Sequence, residues 1–184
     1  MKNNNKLLRI TMTALMAALC YVAFTFLQIK IPTPAGYTSF HLGNVFCVVA
    51  AILIDGVSGG IAGAIGMGIA DLFDPAYVLT VPKTIIIKFL IGFITGTMAH
   101  KVFKIDEKEN CEKEIMMSIF VGMMFNVVAE PLLSFLYYDL ILNNSDKATS
   151  YLTMAKWITT LVNATLTIII GTTLSIAIRK RIKR

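Results

Sequence analysis

Long apolar runs joined by short polar connections dominate this chain: Leu7 to Ile29, Phe40 to Ile54, Val57 to Phe73, Thr84 to Phe103, Ile115 to Leu142 and Leu152 to Ile178. A helix crossing the hydrocarbon core of a bilayer needs about 20 mostly apolar residues, and a helix satisfies its own backbone where no water can. The pattern therefore predicts an all-α membrane protein of about six transmembrane helices. It forms a single transmembrane domain over residues 1–184, with almost no mass outside the bilayer. The 56% hydrophobic and 15% charged residues point to lipid as the solvent, since soluble domains hold roughly 45–50% apolar and about 25% charged residues.

The second and third runs are separated only by Asp55 and Gly56, which reads as a tight hairpin of two helices in preference to one broken helix. Gly59, Gly60, Gly63, Gly66 and Gly68 make the third run suited to close backbone approach in lipid. The chain opens on a basic stretch and an apolar run, as a signal peptide does. That run continues to about Ile29 with no A-x-A-like site before Pro32, so it reads as a retained first helix.

The net charge of +6 does not indicate a nucleic-acid partner, because the basic residues sit at chain ends and in one loop. They indicate orientation. With the N-terminus inside, most of the 17 Lys and Arg residues fall on the cytoplasmic side, among them Lys2, Lys6, Arg9, Lys101, Lys104, Lys108, Lys113, Arg179, Lys180, Arg181, Lys183 and Arg184. Both termini are then cytoplasmic. The external connections become Lys30 to Ser39, Asp74 to Lys83 and Asn143 to Tyr151, and the internal loop from Lys104 to Glu114 reads as a solvated, mixed-charge strip. Cys20, Cys47 and Cys111 are far apart and form no CxxC pair.

Ionisable groups at membrane depth are expensive, and they usually face a cavity or a partner. Here they are Asp71, Lys88, Glu130 and Lys156. Residues three or four apart share a helix face, which groups polar residues into three stripes: Thr84, Lys88, Gly92 and Thr95; Asn126, Glu130, Ser134 and Tyr137; Lys156, Thr160, Asn163 and Thr167. Together with Tyr138 and Trp157 they describe a pocket open to the outside. Its mixture of charges, amides, hydroxyls and aromatic rings suits a small, polar, partly aromatic solute. The same hydroxyls also suit hydrogen bonds between helices, Lys88 can neutralise Glu130 or Asp71, and Lys156 can snorkel to the interface.

Pro131 directly after Glu130 predicts a kink in the fifth helix. His41 and His100 have no companion ligand at metal-binding spacing, so no metal is expected; His41, beside Gly43 and Asn44 at the outer mouth, can touch a solute instead. In the first helix Ala14 and Ala18 form a small-xxx-small pair. It suits either this protein's own helices or a partner subunit. There is no GxxxxGK[ST], GxSxG, HExxH or kinase signature, so neither self-powered ATP hydrolysis nor enzyme chemistry has support, and no cofactor is expected.

The run His41-Leu42-Gly43-Asn44-Val45-Phe46-Cys47, then Gly59 to Gly66, Asp71-Leu72-Phe73-Asp74-Pro75-Ala76-Tyr77, and Thr84 through Lys88-Phe89 to Gly92 resembles the substrate-binding S components of energy-coupling factor (ECF) vitamin transporters. The resemblance is to the branch grouped with riboflavin, hydroxymethylpyrimidine and pyridoxine carriers. One departure is Asp55-Gly56, where such proteins often have Gly-Pro. The resemblance implies six helices with both termini inside, and a vitamin site near the outer face capped by the first external loop, here Lys30 to Ser39. It also implies docking of alanine faces such as Ala14 and Ala18 on a transmembrane coupling subunit, two ATPase subunits, and import by toppling of the S component. On these residues the candidate binding set is Lys88, Asn163, Glu130, Asn126, Thr84, Tyr137, Trp157, Thr160, Asn44, His41, Asp71 and Tyr77. The alternatives are a proton-coupled carrier working through Glu130, or a small intramembrane enzyme or scaffold using Glu130 and Lys88.

Overall fold

A computed structural model of the chain describes residues 2–140 and 146–182. It contains α1 (Lys2–Phe26), a hairpin of β1 (Gln28–Thr33) and β2 (Gly36–His41), α2 (Gly43–Leu53), α3 (Gly56–Leu72), α4 (Val81–Gly96), α5 (Glu112–Leu140) and α6 (Asp146–Ile182). Beyond Gly96, α4 continues as a wider π-type turn over Thr97–Val102. Four stretches are long and apolar enough to cross a membrane, namely Lys6–Phe26, Val78–Val102, Glu112–Asp139 and Lys147–Ile182, while α2 and α3 are shorter apolar helices.

Helix α2 is the centre of the bundle. Nearly all its residues are buried, and it packs against α1, α3, α4 and α6. With 11 residues at a rise of about 1.5 Å each, it covers only about half of a ~30 Å hydrocarbon core. Its hairpin-side end is met by β2. Around it the longer helices turn large apolar side chains outward, Leu7, Ile10, Leu15 and Val22 from α1 and Met154, Ile158, Leu161 and Ile169 from α6. Such a surface is favourable against lipid or an apolar partner, not against water.

The break after α2 is a new helix start. Asp55 adopts an extended conformation and accepts from the Ser58 backbone N–H at 2.8 Å, satisfying one of the donors that a helix start leaves unpaired. Arg9 Nη2 reaches the same carboxylate at 2.9 Å and ties α1 to this turn. Glycine then sets how closely α3 and α4 approach. A Cβ added at Gly92 would fall onto the backbone of Gly59 and Gly60.

Several expectations are corrected. The first external connection is not an irregular loop but an antiparallel hairpin, with register Gln28↔His41 through Thr33↔Gly36 around Pro34 and Ala35. Ile29, Ile31, Thr33 and Thr38 are β-branched, and both strands are edges, so Pro32 removes no ladder bond from a sheet interior. Gly36 has φ +155°, and a Cβ there would lie 2.9 Å from Tyr138 Oη, so the hairpin tip rests on α5. The second connection is shorter than Asp74 to Lys83, because α4 begins at Val81 with Pro82 in its first turn and Lys83 already inside. Helix α5 carries Pro131 within its span, and the proline, whose kink is not tested by the helix bounds, does not end the helix. Part of the third connection, the end of the fifth segment at Leu142, and the inside charges Lys183 and Arg184 lie outside the described residues.

The loop expected to be a solvated strip is partly built into the fold. Ile105 and Cys111 are buried, Arg179 Nη2 donates to the Ile105 carbonyl at 2.6 Å, and His100 Nδ1 meets Asp106 Oδ2 at 2.6 Å. Partial burial works against the Asp106 carboxylate, but His100 and Arg179 hold it below its ordinary range.

Candidate functional site

At the hairpin end, α3, α4, α5 and α6 surround a small polar cavity of about 50 Å³, with β2 across its top and Phe24 of α1 at its side. Its centre is Glu130. Glu130 Oε1 accepts from Lys83 Nζ at 2.5 Å and from Lys156 Nζ at 3.0 Å, and Lys83 also donates to Ser134 Oγ at 3.1 Å. Both lysines are buried, so one carboxylate joins α4, α5 and α6 through charge-assisted bonds.

Lys88 sits deeper on α4 and donates to Asn44 Oδ1 of α2 at 3.0 Å. It therefore does not pair with Glu130 or Asp71. The hairpin is fixed from above: Asn163 Oδ1 accepts from the His41 backbone N–H at 3.0 Å, Asn163 Nδ2 donates to the Ser39 carbonyl at 2.9 Å, and the Thr38 and Thr159 hydroxyls share a hydrogen bond of 2.7 Å. Outside the cavity, Lys30 of β1 pairs with Asp74 at 2.5 Å and lies over the Tyr77 ring. Burial pushes the Tyr77 phenol above its ordinary range. Burial, with Lys88 nearby, holds the His41 imidazole well below its own. Both groups are thus neutral near pH 7.

Buried polar atoms are nearly always hydrogen-bonded, yet four around this cavity have no protein partner: His41 Nδ1, Asp71 Oδ1, Tyr77 Oη and Asn126 Oδ1. They leave hydrogen-bonding capacity open toward the cavity. Among the described residues, no group of His, Cys, Asp and Glu is placed to hold a metal ion.

The sequence-derived residues divide cleanly. Lys88, Asn163, Glu130, Asn126, Thr84, Thr160, His41, Asp71 and Tyr77 line the cavity, and Asn44 stands behind Lys88. Tyr137 and Trp157 do not line it. Tyr137 donates outward to the Leu79 carbonyl at 2.7 Å, and Trp157 is 40% exposed on the lipid-facing side of α6. Lys83, Thr38, Ser39, Thr80 and Thr159 also line the cavity without having been expected there. The first-turn proline Pro82 was the available signal for Lys83, because proline favours the start of a helix and so places residue 83 on it.

A second concavity, of about 810 Å³, runs along α1 and α3 and is mostly apolar, with Ala14, Ala17, Ala18, Ile61, Ile65 and Gly66 among its walls. Ala14 and Ala18 thus line an open groove between the two helices.

A helical membrane bundle that buries opposed charges around a small polar cavity fits the class of solute-binding membrane proteins. The comparison with known families makes that specific: residues 4–180 match the family described as ECF-type riboflavin transporter, S component, and the chain belongs to that family. Membership in that family speaks for the S component of a transporter and against the intramembrane-enzyme alternative. The chain is also 32% identical over 76 residues to an uncharacterized protein in a gap 3′ region of Pyrococcus woesei. That match covers 41% of this chain and 49% of the other, so it spans about half the length of that relative. No solved structure matches the chain.

Proposed function

We propose that this protein captures a B vitamin or vitamin precursor at the outer face of the cell membrane and delivers it inward, with ATP hydrolysed by two partner ATPase subunits. The observation that carries the reading is the small polar cavity beneath the hairpin, with unpartnered polar atoms in its wall. Family membership supports the transport role. At about 50 Å³ the cavity is far below the roughly 300–1,000 Å³ of small-molecule sites. A vitamin enters only when the hairpin lifts from Asn163 and Thr159. Lys88, Glu130, Asn126, Thr84, Thr160, Asn163, Asp71, Tyr77 and His41 then contact it, with Asn44 orienting Lys88.

In this reading the chain is one transmembrane domain. α2, continued by the hairpin that meets its end, and α3 complete six crossings, and both termini lie in the cytoplasm, where the Lys and Arg residues of the tail and the α4–α5 loop concentrate. The groove along Ala14 and Ala18 receives a transmembrane coupling subunit, because small residues let a partner helix approach closely. Co-expression with a coupling subunit and two ATPases, followed by purification and vitamin uptake into proteoliposomes, tests the proposal. The expected result is a four-subunit complex whose uptake requires ATP. Uptake by the chain alone without ATP would instead establish a secondary carrier.

A further inference from the structure

The charges inside the cavity do not cancel. Lys83 and Lys156 share the single Glu130 carboxylate. Lys88, only 5% exposed, has a neutral amide oxygen as its partner. Among the described residues no carboxylate lies within 4.0 Å of its ammonium. The remaining acid in the wall, Asp71, has an unpartnered Oδ1 and, among the described residues, makes no ion pair. Three ammoniums thus face two carboxylates around the cavity. The wall is positive with Asp71 ionised, and more so with it protonated.

An isolated buried ammonium is strongly unfavourable, and folded proteins normally give it a counter-ion. Here no carboxylate among the described residues contacts Lys88, the two acids of the wall are outnumbered by three ammoniums, and Lys88 faces the space where a solute would sit. Lysine is a compact point charge with three donors, suited to a carboxylate or a phosphate oxygen. The other unpartnered atoms complement a different part of the solute: Asp71 Oδ1 and Asn126 Oδ1 accept, and Tyr77 Oη can do either.

Building on the solute-capture reading above, we infer that the pocket selects a small organic anion, its carboxylate or phosphate seated on Lys88 and its hydroxyl or N–H groups turned toward Asp71 and Asn126. A neutral vitamin would leave Lys88 buried without a counter-ion. The counter-ion arrives with the cargo, so the occupied pocket is closer to neutral than the empty one.

The test measures binding to the purified full-length protein by calorimetry, using matched neutral and anionic probes. Riboflavin against riboflavin 5′-phosphate examines phosphate; nicotinamide against nicotinate and biotinamide against biotin examine carboxylate. The expected result is at least tenfold tighter binding of the anion in at least one pair, and the pair that shows it identifies which oxyanion is read. Lys88→Met should bring that ratio close to one. Asn44→Asp provides a second variant that keeps the lysine but places a carboxylate on it, and it should erase the preference too. Equal or tighter binding of the neutral probes, or an anion preference that survives both substitutions, would overturn the inference while leaving solute capture intact. Failure of all six probes to bind the wild-type protein would overturn this inference, while ATP-dependent vitamin uptake by the assembled complex decides the capture reading separately.

Discussion

Replacing Glu130 by glutamine tests the charge arrangement from the stability side. The wild-type carboxylate accepts from Lys83 at 2.5 Å and Lys156 at 3.0 Å, and these lysines are 5% and 6% exposed. Glutamine keeps the volume and one acceptor oxygen but removes the charge that offsets two buried ammoniums. Breaking a buried pair by removing one partner costs about 3–5 kcal/mol. For a chain of this size each kcal/mol lowers Tm by roughly 2–4 °C, so Glu130→Gln should melt about 6–20 °C below wild type. Cys20, Cys47 and Cys111 are all free and buried. A thiol-reactive dye therefore reports melting in detergent without an added probe. Lys88→Met is the matched control: it removes a buried ammonium that has no carboxylate partner, and its Tm should equal or exceed that of wild type. A Glu130→Gln protein melting within 2 °C of wild type would refute the claim that one carboxylate neutralises this cluster.

Three further outcomes are expected. Leucine at Ala14 and Ala18 together should abolish co-purification with the coupling subunit and ATPases while leaving solute affinity within twofold, because the two residues line the α1–α3 groove and not the cavity. Asp74→Ala releases Lys30 from its partly exposed bridge, which is worth about 0.2–1 kcal/mol; solute dissociation, followed by stopped flow, should quicken by roughly 1.5- to 5-fold without loss of Tm. Gly92→Ala places a methyl against the backbone of Gly59 and Gly60. Overpacking of this kind costs about 1–3 kcal/mol, and the loss should appear in the same thiol melt.

The helices were legible because burial in lipid writes long apolar runs into a sequence, and the polar interruptions Lys88, Glu130 and Asn163 stood out against them. The stripes found most of the wall that α4, α5 and α6 contribute, yet helical geometry left an ambiguity at their ends. From Ser134 the buried face of α5 continues to Tyr138, four residues on, and not to Tyr137, three residues on. Trp157 follows Lys156 by one residue, which turns it about 100° away from the face that Lys156 shares with the cavity. The hairpin was hidden by its prolines and by its short span, since two strands of six residues bear little periodicity. Partner choice was the least visible feature. Lys88 was read as a possible mate for Glu130, but Lys83 and Lys156 take that carboxylate and leave Lys88 to Asn44. Which cation reaches which anion depends on the relative height of α4, α5 and α6, a tertiary quantity that no single helix encodes.

Native mass spectrometry of the full-length protein, released gently from detergent after purification from cells supplied with B vitamins, addresses the central claim most directly. The account predicts one bound small molecule of vitamin size on the wild-type protein, lost when Lys88 and Asn163 are both replaced by alanine. A wild-type protein that carries no such molecule, or a bound molecule that persists in the double variant, would contradict it.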